Sequence, residues 1–322
     1  MLTLPLSFRW ADLVDALVAE RGGLGELVRV LYEIHPGQLP TDTGTVERGI
    51  RRLRKREARA GDKYGRMLLR HFGLPVPIQA WARELGQYHS RLGDLPAALR
   101  RDQLRLWDRP PVSESAQAAW IHLGLASLAH QRGDADALTR RLELAELGVA
   151  RAGLAARLEL SLFRARLATD AGAHAKAETL LDAVASALAE ATAPSELGTH
   201  DFACLSARRL DQLAYLRARG WREAPARLAE ARALYSEIPA SGPSFVVFRR
   251  HQGLAWCLWR SGQADALAHA QLAAEAAGDG GYLRLRCVSL RLQARILEDP
   301  DAATRALERA TQIEASLEAR PW

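Results

Sequence analysis

Five times along this chain a helix-like stretch ends at a glycine-centred turn and restarts on an alanine-rich stretch: SRLGDLPAAL, HQRGDADAL, TDAGAHAKA, RARGWREAP and WRSGQADAL. The central glycines are Gly93, Gly133, Gly172, Gly220 and Gly262, so the successive intervals are 40, 39, 48 and 42 residues. A period of that length is the mark of stacked helical hairpins, each of which buries its apolar face only against its neighbours. Stacks of this kind bind other molecules along an extended surface and seldom carry catalysis.

Composition agrees with helix. Alanine, leucine and arginine dominate, β-branched residues are sparse and aromatics are 6% of the chain, which disfavours sheet. The expected fold is all-α, with a short head over residues 1–75 and one long array over residues 76–322. Helix starts are expected near Arg9, Glu26, Thr43, Ile78, Ser115, Arg157, Phe202, Phe245 and Tyr282.

The cysteines Cys204, Cys257 and Cys287 are odd in number, far apart and set among apolar helical positions. They read as reduced core residues of a cytoplasmic protein, not as a disulfide framework or a metal site. The opening MLTLPLSFRWADLVD has no basic leader region, and no uncharged apolar run is long enough to span a bilayer, so neither secretion nor a membrane partner is expected.

Charge is strongly local. The chain carries a net +6, while residues 47–70 hold ten Arg or Lys against Glu47, Glu57 and Asp62, a net of +7 that leaves about −1 for everything else. A head that alone meets a polyanion has this distribution.

Within the head, RWADLVDALVAER places Trp10, Leu13, Val14, Leu17 and Val18 on one helical face, and Gly22 and Gly23 end that helix. A second amphipathic stretch, LGELVRVLYEI, follows, and HPGQLPTD breaks it, leaving Thr41 or Asp42 to cap what comes next. In TGTVERGIRRLRKREARAG an inward stripe of Val46, Ile50 and Leu53 recurs at i, i+4 and i+7, and arginines fill the remaining surface.

Two short helices, a turn and a capped helix with this stripe resemble the helix-turn-helix domains of bacterial DNA-binding proteins. The resemblance implies that the third helix enters the major groove, with Thr43, Thr45, Arg48, Arg51, Arg52 and Lys55 facing DNA. The connection before that helix, about eight residues, exceeds the tight turn of the simplest members and leans toward a winged-helix-like variant. GDKYGRMLLRHFGLP is then either a wing or a further basic helix; Tyr64, Met67, Leu68 and Phe72 sharing one face favours the helix. The competing reading of the basic stretch is a solvated face, or a surface for an acidic protein.

In the array, IQAWARELGQYHSRLGDLPAALRRDQLRLWDRPP is similar to a tetratricopeptide repeat (TPR): Leu85 and Gly86 stand at its Leu-Gly pair, Gly93 at its turn, Ala98 at its small position and Pro110 at its terminating proline. The next stretch has Trp120, Leu123 and Gly124 in the W-x-x-L-G spacing. Later hairpins keep the turn glycine and small residues near Ala177, Ala224 and Ala268, while Leu123, Leu160, Leu213 and Leu258 supply bulk between hairpins. The resemblance implies a right-handed TPR-like solenoid of five to six hairpins, similar to the sensor arrays of bacterial transcription regulators. Breaks fall at RPPVSES, ATAPSELGTH, IPASGPS and AAGDGG.

Aligned on the turn glycines, the first helices of the hairpins carry Arg83, Gln87, Arg91, Arg166, Arg217, Gln252, Trp256 and Arg260 toward a concave groove. Guanidinium and amide groups there suit a carboxylate-bearing peptide or an acidic protein segment. Trp256 and Trp259 form the one tryptophan pair that reads as a binding surface, whereas His122 and His130 read as packing or surface residues and not as ligands. No phosphate-binding glycine loop, serine nucleophile elbow, zinc-protease helix or paired C-x-x-C occurs, so no cofactor, no metal and no enzymatic activity is expected. The leading expectation is a transcription regulator with a DNA-binding head and a peptide-, protein- or small-ligand-sensing array, in which a homodimer would set the spacing of two heads. The alternative is an interaction scaffold that does not bind DNA.

Overall fold

A computed structural model describes residues 7–191, 197–219 and 227–318 of the chain. The turn expected at Gly220, the small residue Ala224 and part of the break at 191–200 lie outside the described residues. Among the described residues the protein is helical, with sixteen α-helices and no strand. Each expected helix start lies within three residues of an observed one, because glycine and proline punctuate the apolar stretches where a helix cannot continue.

The chain divides into two compact units, one of residues 1–90 with 98–152 and the other of residues 91–97 with 153–322. The first contains α1 (Trp10–Arg21), α2 (Leu24–Ile34), α3 (Thr43–Arg54), α4 (Lys63–His71), α5 (Val76–Gly86), α7 (Ala118–Gln131), α8 (Ala135–Ala152) and nearly all of α6 (Ala97–Trp107). Helices α1, α2 and α3 pack on one another, and α4 packs on α3. Further along, α5 packs on α7 and α7 on α8. The α5–α7 approach is tight at the Leu-Gly pair of the first expected hairpin. A Cβ on Gly86 would lie 2.2 Å from the Trp120 carbonyl oxygen, so α5 and α7 meet there backbone to backbone.

The second unit contains α9 (Leu154–Asp170), α10 (His174–Glu190), α11 (Thr199–Arg219), α12 (Leu228–Glu237), α13 (Ser244–Arg260), α14 (Ala266–Asp279), α15 (Leu283–Ile296) and α16 (Pro300–Glu318). Each helix packs on the next, and α11 also packs on α9 and α13, and α13 on α15. Phe245, Phe248 and Tyr235 fill the space between α12 and α13 together with alanines from α11 and α14. A buried ion pair, Arg208 of α11 with Glu159 of α9, ties two of these helices through their interior.

The turn glycines divide into two kinds. Gly133, Gly172 and Gly262 have φ of 69°, 75° and 66°, and each closes its helix with the same paired bonds. Asp134, Ala173 and Gln263, the residues that follow, donate their N–H to the carbonyls of Ala129, Ala168 and Leu258 at 3.0, 2.8 and 3.0 Å. Gly93 does not join them. Its helix has already ended at Gly86, where Gln87 leaves the helical region at ψ 137°, and Gly93 sits in a short 3-10 turn over Arg91–Asp94. Leu95, held out of helix by the proline after it, and Pro96 then separate this turn from α6.

The alanine register also differs at one place. Ala177 is buried as expected, but Ala268 is exposed, and Ala266 and Ala270 take the inward positions of α14 instead. Extrapolating from the preceding turn glycine over a longer connection lands on the wrong side of a helix.

Several histidines have lowered pKa values. His251 of α13 and His269 of α14 stack with Nδ1 atoms 2.8 Å apart, so one donates and the other accepts. Burial lowers the pKa of both; His269 and Arg250 push His251 further down, and Arg250 and Arg232 act likewise on His269 against an opposing pull from Asp265. In the first unit Arg141 donates to His122 Nδ1 at 3.1 Å, so that nitrogen must be an acceptor, and burial again lowers its pKa.

Two outcomes follow from this packing. Gly86→Ala is expected to lose about 1–3 kcal/mol in denaturant unfolding because backbone, not a flexible side chain, occupies the space. Gly25→Ala, in α2 with open space around it, should gain about 0.5–1 kcal/mol. The histidines give the second. Their folded pKa values lie below the unfolded reference of 6.5, so their contribution is complete above pH 6.5 and is lost as pH falls through the lowered values. The melting temperature should therefore drop between pH 7.5 and pH 5, and less steeply when His251 and His269 are both replaced by Gln; equal pH dependence in that variant would contradict the assignment.

Candidate nucleic-acid interface

Helix α3 owes its start to Asp42, whose carboxylate accepts from the Gly44 N–H at 3.0 Å and from the Thr45 hydroxyl at 2.6 Å. Of the two candidate caps, Asp42 is therefore the one used. The Thr45 hydroxyl and the Gly44 N–H, with Arg48 beside them, hold the Asp42 carboxyl below its ordinary pKa. Val46, Gly49, Ile50 and Leu53 are buried and set which face of α3 turns inward.

The opposite face is basic. Arg48, Arg51, Arg52 and Lys55 follow one another at i, i+3, i+4 and i+7, and all four are exposed. Thr43 is exposed at the first helical position, while Thr45 is half-buried and engaged by the cap. The cations differ in what holds them. Arg48 donates to Asp42 at 3.1 Å, Arg51 to Glu47 at 2.8 Å and Arg54 to Asp15 of α1 at 3.0 Å, and Arg56 pairs with Asp62 at 3.5 Å. Arg52, Lys55 and Arg59 make no ion pair among the described residues. Exposed pairs of this sort are worth little and are readily exchanged for a stronger anion.

The residues after α3 form α4, so the wing of a winged-helix-like variant is not formed there. Asp62 caps α4 by accepting from the Tyr64 and Gly65 N–H groups at 2.9 and 3.3 Å. The connection between α3 and α4 is pinned at two points. The buried Trp10 indole donates from Nε1 to the Arg59 carbonyl at 3.0 Å, and the Gly61 N–H donates to Glu114 Oε1 at 2.8 Å. Tyr64, Gly65 and Leu68 face the core, leaving Lys63, Arg66 and Arg70 exposed. That second row reads in the sequence as local net charge alone; its i, i+3, i+7 spacing is the signal that picks it out.

The residues expected in a ligand groove fall in different units. In the first, Arg83 is half-buried on α5 and Gln87 is buried just after it. In the second, Arg91 is exposed in its 3-10 turn. Arg166 of α9 donates to Asp170 at 3.0 Å and lies over the Tyr215 ring of α11. Arg217 of α11 binds Glu178 of α10 and approaches Glu230 of α12 at 3.8 Å. Gln252 of α13 accepts from the Ser289 hydroxyl of α15 at 2.6 Å. Trp256 meets Trp259 with ring centroids 5.2 Å apart, and the exposed Arg260 lies over Trp256 at 5.6 Å. Thus Arg166, Arg217 and Gln252 already serve as ties within and between helices.

Among the described residues no helix is long and apolar enough to cross a membrane. No protein-family model, curated protein or solved structure matches the chain.

Proposed function

We propose that the protein is a DNA-binding regulator whose basic helix α3 enters the major groove of duplex DNA and whose TPR-like helical array takes a peptide, protein or small ligand. The observation that carries the reading is the row Arg48, Arg51, Arg52 and Lys55, exposed along α3 opposite the residues that anchor it. A helix fixed on one side by Val46, Ile50 and Leu53 and cationic on the other presents guanidinium groups to base edges and phosphates at once. Arg48, held near Asp42 at the capped end, suits a positioning contact; Arg52 and Lys55, without chain carboxylates, suit direct contact with DNA.

For the array, the neighbour-on-neighbour packing from α9 to α16 supports a stacked-hairpin reading. A carboxylate ligand would compete with Asp170 and Glu178 for Arg166 and Arg217, which sit on successive first helices. Exchange of an internal tie for a ligand contact is a physical route by which binding would bias the packing of adjacent hairpins. A dimer would convert that bias into a change in the spacing of two heads on DNA.

The test is a salt-resolved titration with duplex DNA. Each neutralised phosphate releases counterions, so the logarithm of affinity should fall against the logarithm of salt concentration by about 0.9 per contact. Replacing Arg51, Arg52 and Lys55 together by Ala should make the slope shallower by up to about 2.7 while the array stays folded. Unchanged affinity and slope in the triple variant would favour the scaffold reading, in which the basic row docks an acidic protein.

A further inference from the structure

We propose that α4 is a second DNA-contacting element, in which Lys63, Arg66 and Arg70 grip backbone phosphates beside the groove that receives α3; the inference rests on the DNA-binding reading above. Three observations carry it.

The first is direction. Tyr64, Gly65 and Leu68 are buried on one side of α4, and Lys63, Arg66 and Arg70 occupy the side opposite at i, i+3 and i+7. At 1.5 Å per residue the row is roughly 10 Å long, against one charge per about 3.4 Å of axis on each DNA strand. Such a row reaches two to three phosphates, by order of magnitude.

The second is continuity with α3. A Cβ on Gly49 would lie 2.1 Å from the Tyr64 ring, so this ring lies directly on the α3 backbone. The Lys63 ammonium sits over the same ring at 4.9 Å from its centroid, and Arg52 lies three residues beyond Gly49 on α3. The exposed Arg59 lies on the connection, where the Trp10 indole holds its carbonyl. Tyr64 thus holds α4 directly against α3, and the exposed Arg59 lies on the connection that links the two helices.

The third is the state of the charges. Among the described residues Arg52, Lys55, Arg59, Lys63, Arg66 and Arg70 make no ion pair, whereas Arg48, Arg51, Arg54 and Arg56 do. The unpaired cations therefore lie on the end of α3, on the connection and on α4, away from the capped end of α3. Asp62 occupies the N-terminal end of α4, where it would repel a phosphate. The grip must come from the outward side chains and not from the helix end. Side chains that meet phosphates alone position the protein without reading sequence.

The experiment uses the full chain with a duplex of the order of 20 base pairs and follows affinity against salt for three proteins. In the first variant Lys63, Arg66 and Arg70 become Gln; in the second Arg295, Arg305 and Arg309, exposed on α15 and α16, become Gln and remove the same formal charge elsewhere. The α4 variant should lose about 2–3 from the magnitude of the slope and weaken binding equally to all duplex sequences, while the α15–α16 variant matches the wild type. Helicity and melting of each protein are followed in parallel. Should the triple α4 change unfold the head, Arg66→Gln alone is expected to lower the slope by about 0.9. A wild-type slope retained by folded α4 variants, alongside loss of binding in the α3 triple variant, overturns the α4 inference alone. Absence of salt-dependent duplex binding by the wild type overturns the DNA-binding reading and this inference together.

Discussion

The hydrogen bond from the Trp10 indole to the Arg59 carbonyl is the constraint on which the basic surface depends. Trp10 is fully buried at the start of α1, and Gly61 and Gly65 leave it room: a Cβ on either would fall within 3 Å of its ring. One side chain thus closes the head's core, satisfies a backbone acceptor in the connection between α3 and α4 and fixes where α4 begins. An indole suits this position because it joins a large apolar area to a single donor at its edge. The Gly61 N–H bonded to Glu114 secures the same connection from a segment more than fifty residues away in sequence. The cations themselves stay exposed, so the surface is built by anchoring backbone and leaving charge free to meet an anion.

The second unit is held together differently. Left-handed glycine caps reverse the chain after α9 and α13, and the bonds across the turns are nearly identical at the two sites. Between hairpins, charged and polar side chains join the helices: Arg208 to Glu159, Arg217 to Glu178, Arg249 to Asp211 and Ser289 to Gln252. An ion pair as buried as Arg208 with Glu159 gains little net stability over an apolar pair but is costly to separate, so it specifies how α9 and α11 face each other. Polar ties of this kind are exchangeable in a way that leucine packing is not. That is the physical content of the proposal that a ligand acts through the array.

Much of this is legible in the sequence because local rules write it into short stretches. Gly and Pro mark helix ends, and the Val46, Ile50 and Leu53 stripe marks the buried side of α3, so the face carrying Arg48, Arg51, Arg52 and Lys55 follows by elimination. What was not legible is set by partners distant in sequence. Nothing near Arg54 announces its bond to Asp15, and nothing near Arg217 announces Glu178; these bonds distinguish engaged cations from available ones. The Gly93 turn misled because α5 already ends at Gly86, so Gly93 falls in a separate 3-10 turn over Arg91–Asp94 and not at a helix end, although α6 restarts at Ala97 on the alanine-rich stretch. Ala268 misled because register carried across a connection accumulates error, and a helix face changes within two residues.

In the proposed complex the outward row of α3 lies against DNA. A photoreactive side chain introduced at position 52 of the full chain, compared with one at position 309 on α16, tests it most directly. Irradiation with duplex DNA should yield a covalent protein–DNA adduct from position 52 and none from position 309, and the adduct should diminish as salt is raised because counterion release drives the contact. Equal adduct from both positions, or none from position 52 under conditions where the protein binds duplex, would contradict the claim.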